Sequence, residues 1–257
     1  MTMPPQAFSY DTFSQSTNPG PVKYLGSRYD AAGNFLTERG NTIVRHIIPG
    51  SKTEEALVDL REKMRRAPCG DLLAFTDVES LHMTLFNGVI ETARQPDTWP
   101  ETIPRDADVE ITTEAIRQRL VGYRRPGPFA MRVVEVTPFG LTLAGATEAD
   151  EQMARAWRDS FPPLFGYKSN GHDNYVFHTT MAYLKGWLPD AALPEIRAYF
   201  AGLTADFKSQ VPLVELGPPC FCSFEDMNWF EPLLVLPGSD VTMPTLTRPV
   251  HQMRSTI

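Results

Sequence analysis

Apolar and polar residues alternate along two separate stretches of the chain. In SLHMTLFNGV, at 80–89, Leu81, Met83 and Leu85 alternate with His82, Thr84 and Phe86. A second β-rich run, YVFHTTMAYL, occupies 175–184. A period of two is typical of a strand with one buried face. The pattern therefore predicts a strand in each place and puts His82, Thr84 and Phe86 on one face.

Each of these strands follows a helix signal of the same kind. The segments SKTEEALVDLREKMRRA and TEADEQMARAWRDSF both open with hydroxyl residues followed by acids, as helix N-termini prefer. Thr53 lies 29 positions before His82, and Thr147 lies 31 positions before His178. The matching order and spacing predict an internal duplication.

The remaining pattern completes an α+β fold. The other predicted elements are a strand at 41–47, a helix at 112–123, paired strands within 129–144, a helix in LPDAALPEIRAYFAGL and a hairpin from VPLVEL through WFEPLLVL. We expect duplicated strand-helix-strand units with antiparallel sheets and with helices on the outer faces.

The chain of 257 residues, 42% of them hydrophobic, is expected to form a single domain. A proline-rich polar connection at 94–108 separates two halves, at about 23–93 and 109–236. Polar sequences at about 1–22 and 237–257 predict an N-terminal arm and a C-terminal tail.

Charge and cysteine content restrict the class of partner. A net charge of −7 argues against electrostatic binding along the backbone of a large nucleic acid, because such binding requires clustered Lys and Arg. The three cysteines form no disulfide framework, and neither a leader pattern nor a run of 18 apolar residues occurs. We expect a cytoplasmic monomer that binds neither membranes nor long nucleic acids.

A His-x-Thr motif occurs on each of the two alternating strands. It reads His82-Met83-Thr84 in the first half and His178-Thr179-Thr180 in the second. Residues two apart on a strand share a face, so each imidazole lies beside a hydroxyl. Composition alone gives roughly half of one such motif in a chain with 5 histidines, whereas both copies here follow similar helices. Together they predict a cleft that can donate, accept and move protons.

The pair SLHMTLF and VFHTTMAYL resembles the signature of the two-histidine (2H) phosphoesterase superfamily, which includes LigT-like RNA ligases and cyclic nucleotide phosphodiesterases. The resemblance extends over about 40–235, and outside the motifs it points to no characterised branch. It implies a bilobal fold with both motifs lining a central groove. One of His82 and His178 would then act as general base and the other as general acid, without metal or cofactor, while Thr84 and Thr180 bind the phosphate.

From this resemblance we expect a metal-independent phosphodiesterase. Its substrate would be a small cyclic phosphate, such as a nucleoside 2′,3′-cyclic phosphate, opened to a monoester. Two alternatives remain open: a non-catalytic nucleotide-binding module, and an RNA end-processing enzyme or ligase. The acidic balance of the chain disfavours the last of these.

Further residues are candidates for substrate contact. Tyr24 and Arg28 belong to YLGSRYD, which precedes the first strand and could cross the groove. Phe86 forms either a wall of the groove or part of the core. Four more side chains are weaker candidates, Arg45 and Arg132 for phosphate and Tyr175 and Tyr183 for stacking.

The other three histidines are expected outside the catalytic pair. His46 is predicted to be structural, His172 to lie in a turn and His251 to lie in the tail. His172 and His178 with a distant carboxylate could imitate a zinc site, but their spacing matches no compact ligand motif. We therefore expect no metal ligands.

Overall fold

The computed structural model describes residues 8–123, 126–236 and 246. The predicted tail, including His251, lies outside these residues except for Leu246. The strands are β1 (Gly40–Ile47), β2 (Leu73–Phe75), β3 (His82–Ile90), β4 (Met131–Thr137), β5 (Gly140–Gly145), β6 (His178–Thr180), β7 (Ala182–Leu184), β8 (Leu216–Phe224) and β9 (Glu231–Val235). The α-helices are α1 (Lys52–Arg65), α2 (Val109–Leu120), α3 (Glu148–Asp159), α4 (Pro162–Phe165) and α5 (Leu193–Gln210).

Seven strands pair into one antiparallel sheet in the order β4-β5-β6-β3-β1-β8-β9, and β2 pairs with β7 beside it. The strands that carry the two motifs, β3 and β6, are neighbours at the centre of the large sheet. Helices pack against β1, β3, β4 and β5. The predicted α+β class with antiparallel sheets is confirmed.

The two halves begin their helices in the same way. The Ser51 hydroxyl accepts a hydrogen bond from the Glu54 amide, and the Thr147 hydroxyl accepts one from the Asp150 amide. Ser51, not Thr53, therefore corresponds to Thr147. Each cap then lies 31 positions before the histidine of its half. The spacing of the two halves is therefore equal, whereas counting from Thr53 left a difference of two residues.

The predicted strand at 175–184 is broken in two. The amides of Met181 and Ala182 both donate to the carbonyl of Phe139, in the turn between β4 and β5. The chain therefore leaves the large sheet after Thr180, and β7 pairs with β2 instead. The expectation of one continuous strand is wrong because this turn takes the amides that would have continued the ladder.

A β-bulge interrupts the alternation of β3. Ile43 lies opposite Phe86 and Val44 lies opposite Thr84, so Leu85 has no partner of its own. The extra residue shifts the parity of the strand. Phe86 therefore points away from the face of Thr84, and the expectation that they share a face is wrong.

Phe86 is a core residue, only 1% exposed. Its ring packs against the rings of Phe161, Phe165, Tyr167 and His172. Phe86 is therefore part of the core and not a wall of the groove. Helices α3 and α4 cover this face of the sheet.

The described part of the N-terminal arm is folded against the domain. Its 3₁₀ turn, Tyr10–Phe13, is followed by backbone hydrogen bonds that join Phe13 and Gln15 to Leu188. Among the described residues, no helix has both the length and the apolar character needed to cross a lipid bilayer.

Candidate active site

The two His-x-Thr motifs lie side by side on antiparallel strands. Met83 pairs with Thr179, and this register places His82 opposite Thr180 and Thr84 opposite His178. Each histidine therefore has the threonine of the other motif as its cross-strand neighbour. The middle residues, Met83 and Thr179, are both buried on the opposite face.

The two histidines are diagonal neighbours on one face of this strand pair. Diagonal positions in antiparallel strands are separated by about 7–8 Å. Imidazoles at that spacing can bracket a single phosphate group. The structure thus brings His82, His178, Thr84 and Thr180 onto one surface.

Both imidazoles are held by the same backbone contact. Nδ1 of His82 lies 2.6 Å from the Ser80 carbonyl, and Nδ1 of His178 lies 2.8 Å from the Val176 carbonyl. A carbonyl only accepts, so Nδ1 carries the proton and Nε2 of each neutral ring is left with a free lone pair. Both rings are therefore set up to accept a proton at Nε2.

The surroundings favour the neutral form of both rings. Burial, with the nearby His178 as a smaller cause, lowers the pKa of His82 to about 4. Burial also lowers the pKa of His178, with the positive charge of Arg158 as a second cause. His178 is open to solvent, but the dense protein around it still disfavours a charged ring.

Arg158 supports this site from beneath the sheet. It is only 1% exposed, and its guanidinium donates to the Leu85 carbonyl and lies 3.6 Å from the centre of the Tyr175 ring. The Tyr175 ring in turn lies 5.6 Å from that of His178. Arg158 is a residue that sequence reasoning missed, because its position in α3 carries no motif.

A cleft of about 290 Å³ contains the four motif side chains. We call it the histidine groove, and it is lined by Tyr24, Arg28, Asn41, Thr42, Thr76, Ser80, His82, Thr84, Asn87, Gly88, Ile90, His178, Thr180, Tyr183, Phe224, Met227 and Phe230. Asn87 reaches it because the bulge in β3 has shifted the alternation. Phe230 packs on His82, with their ring centres 4.1 Å apart.

Arg28 and Tyr24 lie in the groove, as the sequence predicted for residues that precede the first strand. The Arg28 guanidinium donates to the Glu38 carboxylate at 2.7 Å and lies 4.0 Å from the centre of the Tyr24 ring. The pKa of Arg28 is raised by Tyr183 and Glu38 despite its burial. Arg28 thus places a fixed positive charge at the groove, held in orientation by Glu38.

Two arginines named from the sequence lie elsewhere. Arg45 is buried and donates to the carbonyls of Phe129, Leu216 and Gly217, so it ties strands together. Arg132 is not among the residues that line the groove. Tyr183 lines the groove, whereas Tyr175 lies behind His178.

Within the described residues, one cluster has the donor atoms for a metal ion: Asp159, His172 and Asp173. It excludes both motif histidines. His172 already binds Asp159 at 2.8 Å, and Lys168 is paired with Asp173. This arrangement is one of ordinary surface pairing around a buried imidazole.

Comparison with known families gives a match over part of the chain. Residues 28–142 match a family model named 2H-phosphodiest and described as a domain of unknown function (DUF1868). The chain belongs to the 2H phosphoesterase superfamily. The matched segment includes the first motif of this 2H chain and ends before the second.

A solved structure shares the fold of nearly the whole chain. The conserved protein of unknown function ATU0111 from Agrobacterium tumefaciens strain C58 is 39% identical, with a TM-score of 0.87 over 89% of this chain and 98% of that one. No curated protein sequence matches the chain. Membership of the superfamily supports a phosphoesterase activity in general, and it leaves the substrate to be argued from the groove.

Proposed function

We propose that this protein is a metal-independent phosphodiesterase that opens a small cyclic phosphate, such as a nucleoside 2′,3′-cyclic phosphate, to a monoester. The observation that carries the proposal is the register of β3 and β6. It puts two Nε2 lone pairs and two hydroxyls on one surface within the reach of one phosphate. A volume of about 290 Å³ suits a small ligand, since small-molecule sites span roughly 300–1,000 Å³.

The reaction uses one imidazole as base and the other as acid. Nε2 of the first takes a proton from water, and the water oxygen forms a bond to phosphorus. The bond from phosphorus to one ring oxygen breaks, and the second imidazole protonates that oxygen. The bound phosphate anion raises the pKa of the adjacent imidazoles, so one of them enters the reaction protonated.

The threonines and Arg28 stabilise the charge that develops on the nonbridging phosphate oxygens. Thr84 and Thr180 are hydroxyl donors beside the two imidazoles, and Arg28 supplies a positive charge. Donors that are already oriented before the reaction stabilise a developing charge at little reorganisation cost. Glu38 provides that orientation for Arg28.

The test is a panel of substrates assayed in the presence of chelator. It comprises nucleoside 2′,3′-cyclic phosphates, 3′,5′-cyclic nucleotides, cyclic ADP-ribose phosphate and short oligonucleotides. We expect turnover of at least one small cyclic phosphate without metal. Binding without turnover would indicate a non-catalytic nucleotide-binding module, and processing of oligonucleotide ends alone would indicate an RNA end-processing enzyme or ligase.

A further inference from the structure

A second cavity adjoins the histidine groove. We call it the apolar pocket; it has a volume of about 370 Å³ and shares Tyr24, His178, Thr180 and Tyr183 with the groove. A phosphate bound beside His178 therefore lies at its entrance. A substituent on that phosphate can extend into the pocket without leaving the catalytic face.

The walls of the pocket are mainly aromatic and aliphatic. They include Phe8, Phe13, Val22, Phe139, Leu141 and Trp187. Phe13 stacks on Phe8, with ring centres 5.1 Å apart, and its ring centre lies 4.8 Å from that of Phe139. The described end of the N-terminal arm thus forms one side of the pocket.

The polar atoms of two wall residues are already used within the protein. The Tyr29 hydroxyl donates to the Leu184 carbonyl, and Nε1 of Trp187 donates to the Gly20 carbonyl. Among the described residues that line the pocket, none has a carboxylate or a carboxamide, and Lys23 is the one Lys or Arg. The other polar side chains of the lining carry hydroxyls or an imidazole, among them Thr137, Thr142 and Thr179. The pocket therefore offers few partners to the polar edge of a nucleobase, which is recognised by hydrogen bonds.

An exposed apolar side chain marks the pocket entrance. Val176 is 42% exposed and lines the pocket, and its carbonyl holds Nδ1 of His178. An apolar substituent that covers this exposed apolar surface removes it from water, which favours binding.

We propose that the apolar pocket binds an aryl or alkyl substituent of the phosphate substrate, so that the enzyme selects apolar rather than base-specific substrates. This inference rests on the proposed function for the phosphate position. It assigns the choice of substrate class to the pocket walls, which take no part in the proposed proton transfers.

Binding of non-hydrolysable phosphonates tests the pocket separately from turnover. Isothermal titration calorimetry in the presence of chelator measures the affinity of the protein for phenylphosphonate, methylphosphonate and uridine 3′-monophosphate. A single added methylene in an apolar site changes affinity by about 10–200-fold, so we expect phenylphosphonate to bind at least about 10-fold more tightly than methylphosphonate. Equal affinities, or tightest binding of the nucleotide, would overturn the proposal.

Two variants locate the preference. Phe139→Ser and Val176→Asn should each remove most of the phenyl-over-methyl ratio. Val176 is exposed, so that variant keeps the fold even if Phe139→Ser does not. The matched control is Val58→Asn, a valine 44% exposed on α1 outside the pocket, which should keep the wild-type ratio. A ratio that survives Val176→Asn and a folded Phe139→Ser would refute the assignment.

An uncharged probe separates the two proposals. Titration with toluene, followed by amide chemical shifts, should perturb residues around Phe139 and Trp187. If neither phosphonate binds but toluene does, the phosphate site and the proposed function fail while the pocket stands. If methylphosphonate binds and cyclic phosphates turn over, but toluene leaves these amides unchanged, the pocket proposal alone fails.

Discussion

At the scale of single residues, the site depends on two backbone carbonyls that fix the tautomer of two imidazoles. The carbonyls of Ser80 and Val176 each lie two residues before the histidine that they hold. Neither contact depends on a particular side chain, so the sequence does not reveal it. The identity and spacing of the His-x-Thr motifs, in contrast, are readable directly.

Removing either imidazole should remove most of the rate. We expect His82→Ala and His178→Ala each to lower kcat/KM by about 10²–10⁴-fold, because each abolishes one proton transfer. The double variant should lose much less than the product of the two, since groups that act as a unit are not additive. Turnover of a cyclic phosphate in chelator is the measurement. Near wild-type turnover in either single variant would contradict the acid–base pair.

The threonines should matter less than the histidines. Thr84→Val and Thr180→Val each remove one hydrogen bond to a phosphate that other donors still hold. We expect each to raise the barrier by roughly 1–3 kcal/mol, measured as kcat/KM on the same substrate. A loss as large as that of His82→Ala would mean that a hydroxyl takes part in proton transfer.

The pH dependence should report both imidazoles. Because the folded pKa values of His82 and His178 are both lowered, kcat/KM should be bell-shaped with its maximum below the ordinary histidine value of about 6.5. Arg158→Met removes the positive charge that lowers the pKa of His178, so the alkaline limb should move to higher pH. Arg117→Met, at a partly exposed arginine on α2 that is paired with Glu114, is the control and should leave the profile unchanged. An unchanged limb in Arg158→Met would show that Arg158 does not act on His178.

At the scale of elements, local alternation predicted most strands and helices but not their interruptions. The period of two identified β3, yet the bulge at Leu85 is set by pairing with β1, which is 40 residues away in the chain. The break at Met181 arises from the Phe139 carbonyl. Pairing between distant segments leaves little trace in the periodicity of one segment. Hence the alternation predicts the wrong face for Phe86 but the same face for His82 and Thr84.

The turn between β4 and β5 should be intolerant of a side chain at Gly140. This residue has φ +133°, and a Cβ there would clash with the Thr179 carbonyl oxygen, beside Thr180. We expect Gly140→Ala to cost about 1–3 kcal/mol of unfolding free energy and to lower kcat/KM, measured by urea unfolding and turnover. Gly202→Ala on α5, where no atom lies close, is the control and should be neutral or slightly stabilising. Equal stability of the two variants would contradict the expectation.

At the scale of the whole molecule, buried neutral histidines should make the fold sensitive to acid. Burial lowers the pKa of His46 to about 3 and that of His82 to about 4. A histidine with a lowered folded pKa binds more protons when unfolded, so stability is complete above about 6.5 and falls as the pH drops. Each of these two histidines should lower the unfolding free energy by about 2 kcal/mol between pH 7.5 and pH 5.

A variant isolates one of these contributions. His46→Leu removes one titrating group, so the difference in unfolding free energy between pH 7.5 and 5 should shrink by about 2 kcal/mol relative to wild type. Urea unfolding at the two pH values provides the measurement. If the variant keeps the full pH difference, acid sensitivity has another source.

The register around Met83 and Thr179 has one more consequence. Two antiparallel strands that carry the same motif, each histidine facing the other strand's threonine, are related by a local two-fold axis. That is the geometry of an isologous homodimer interface, in which one patch meets its own copy. A half-length chain that associated with a second copy of itself through this strand would build the same four-residue site without any duplication. The histidine groove therefore has the local symmetry of a subunit interface within a single polypeptide.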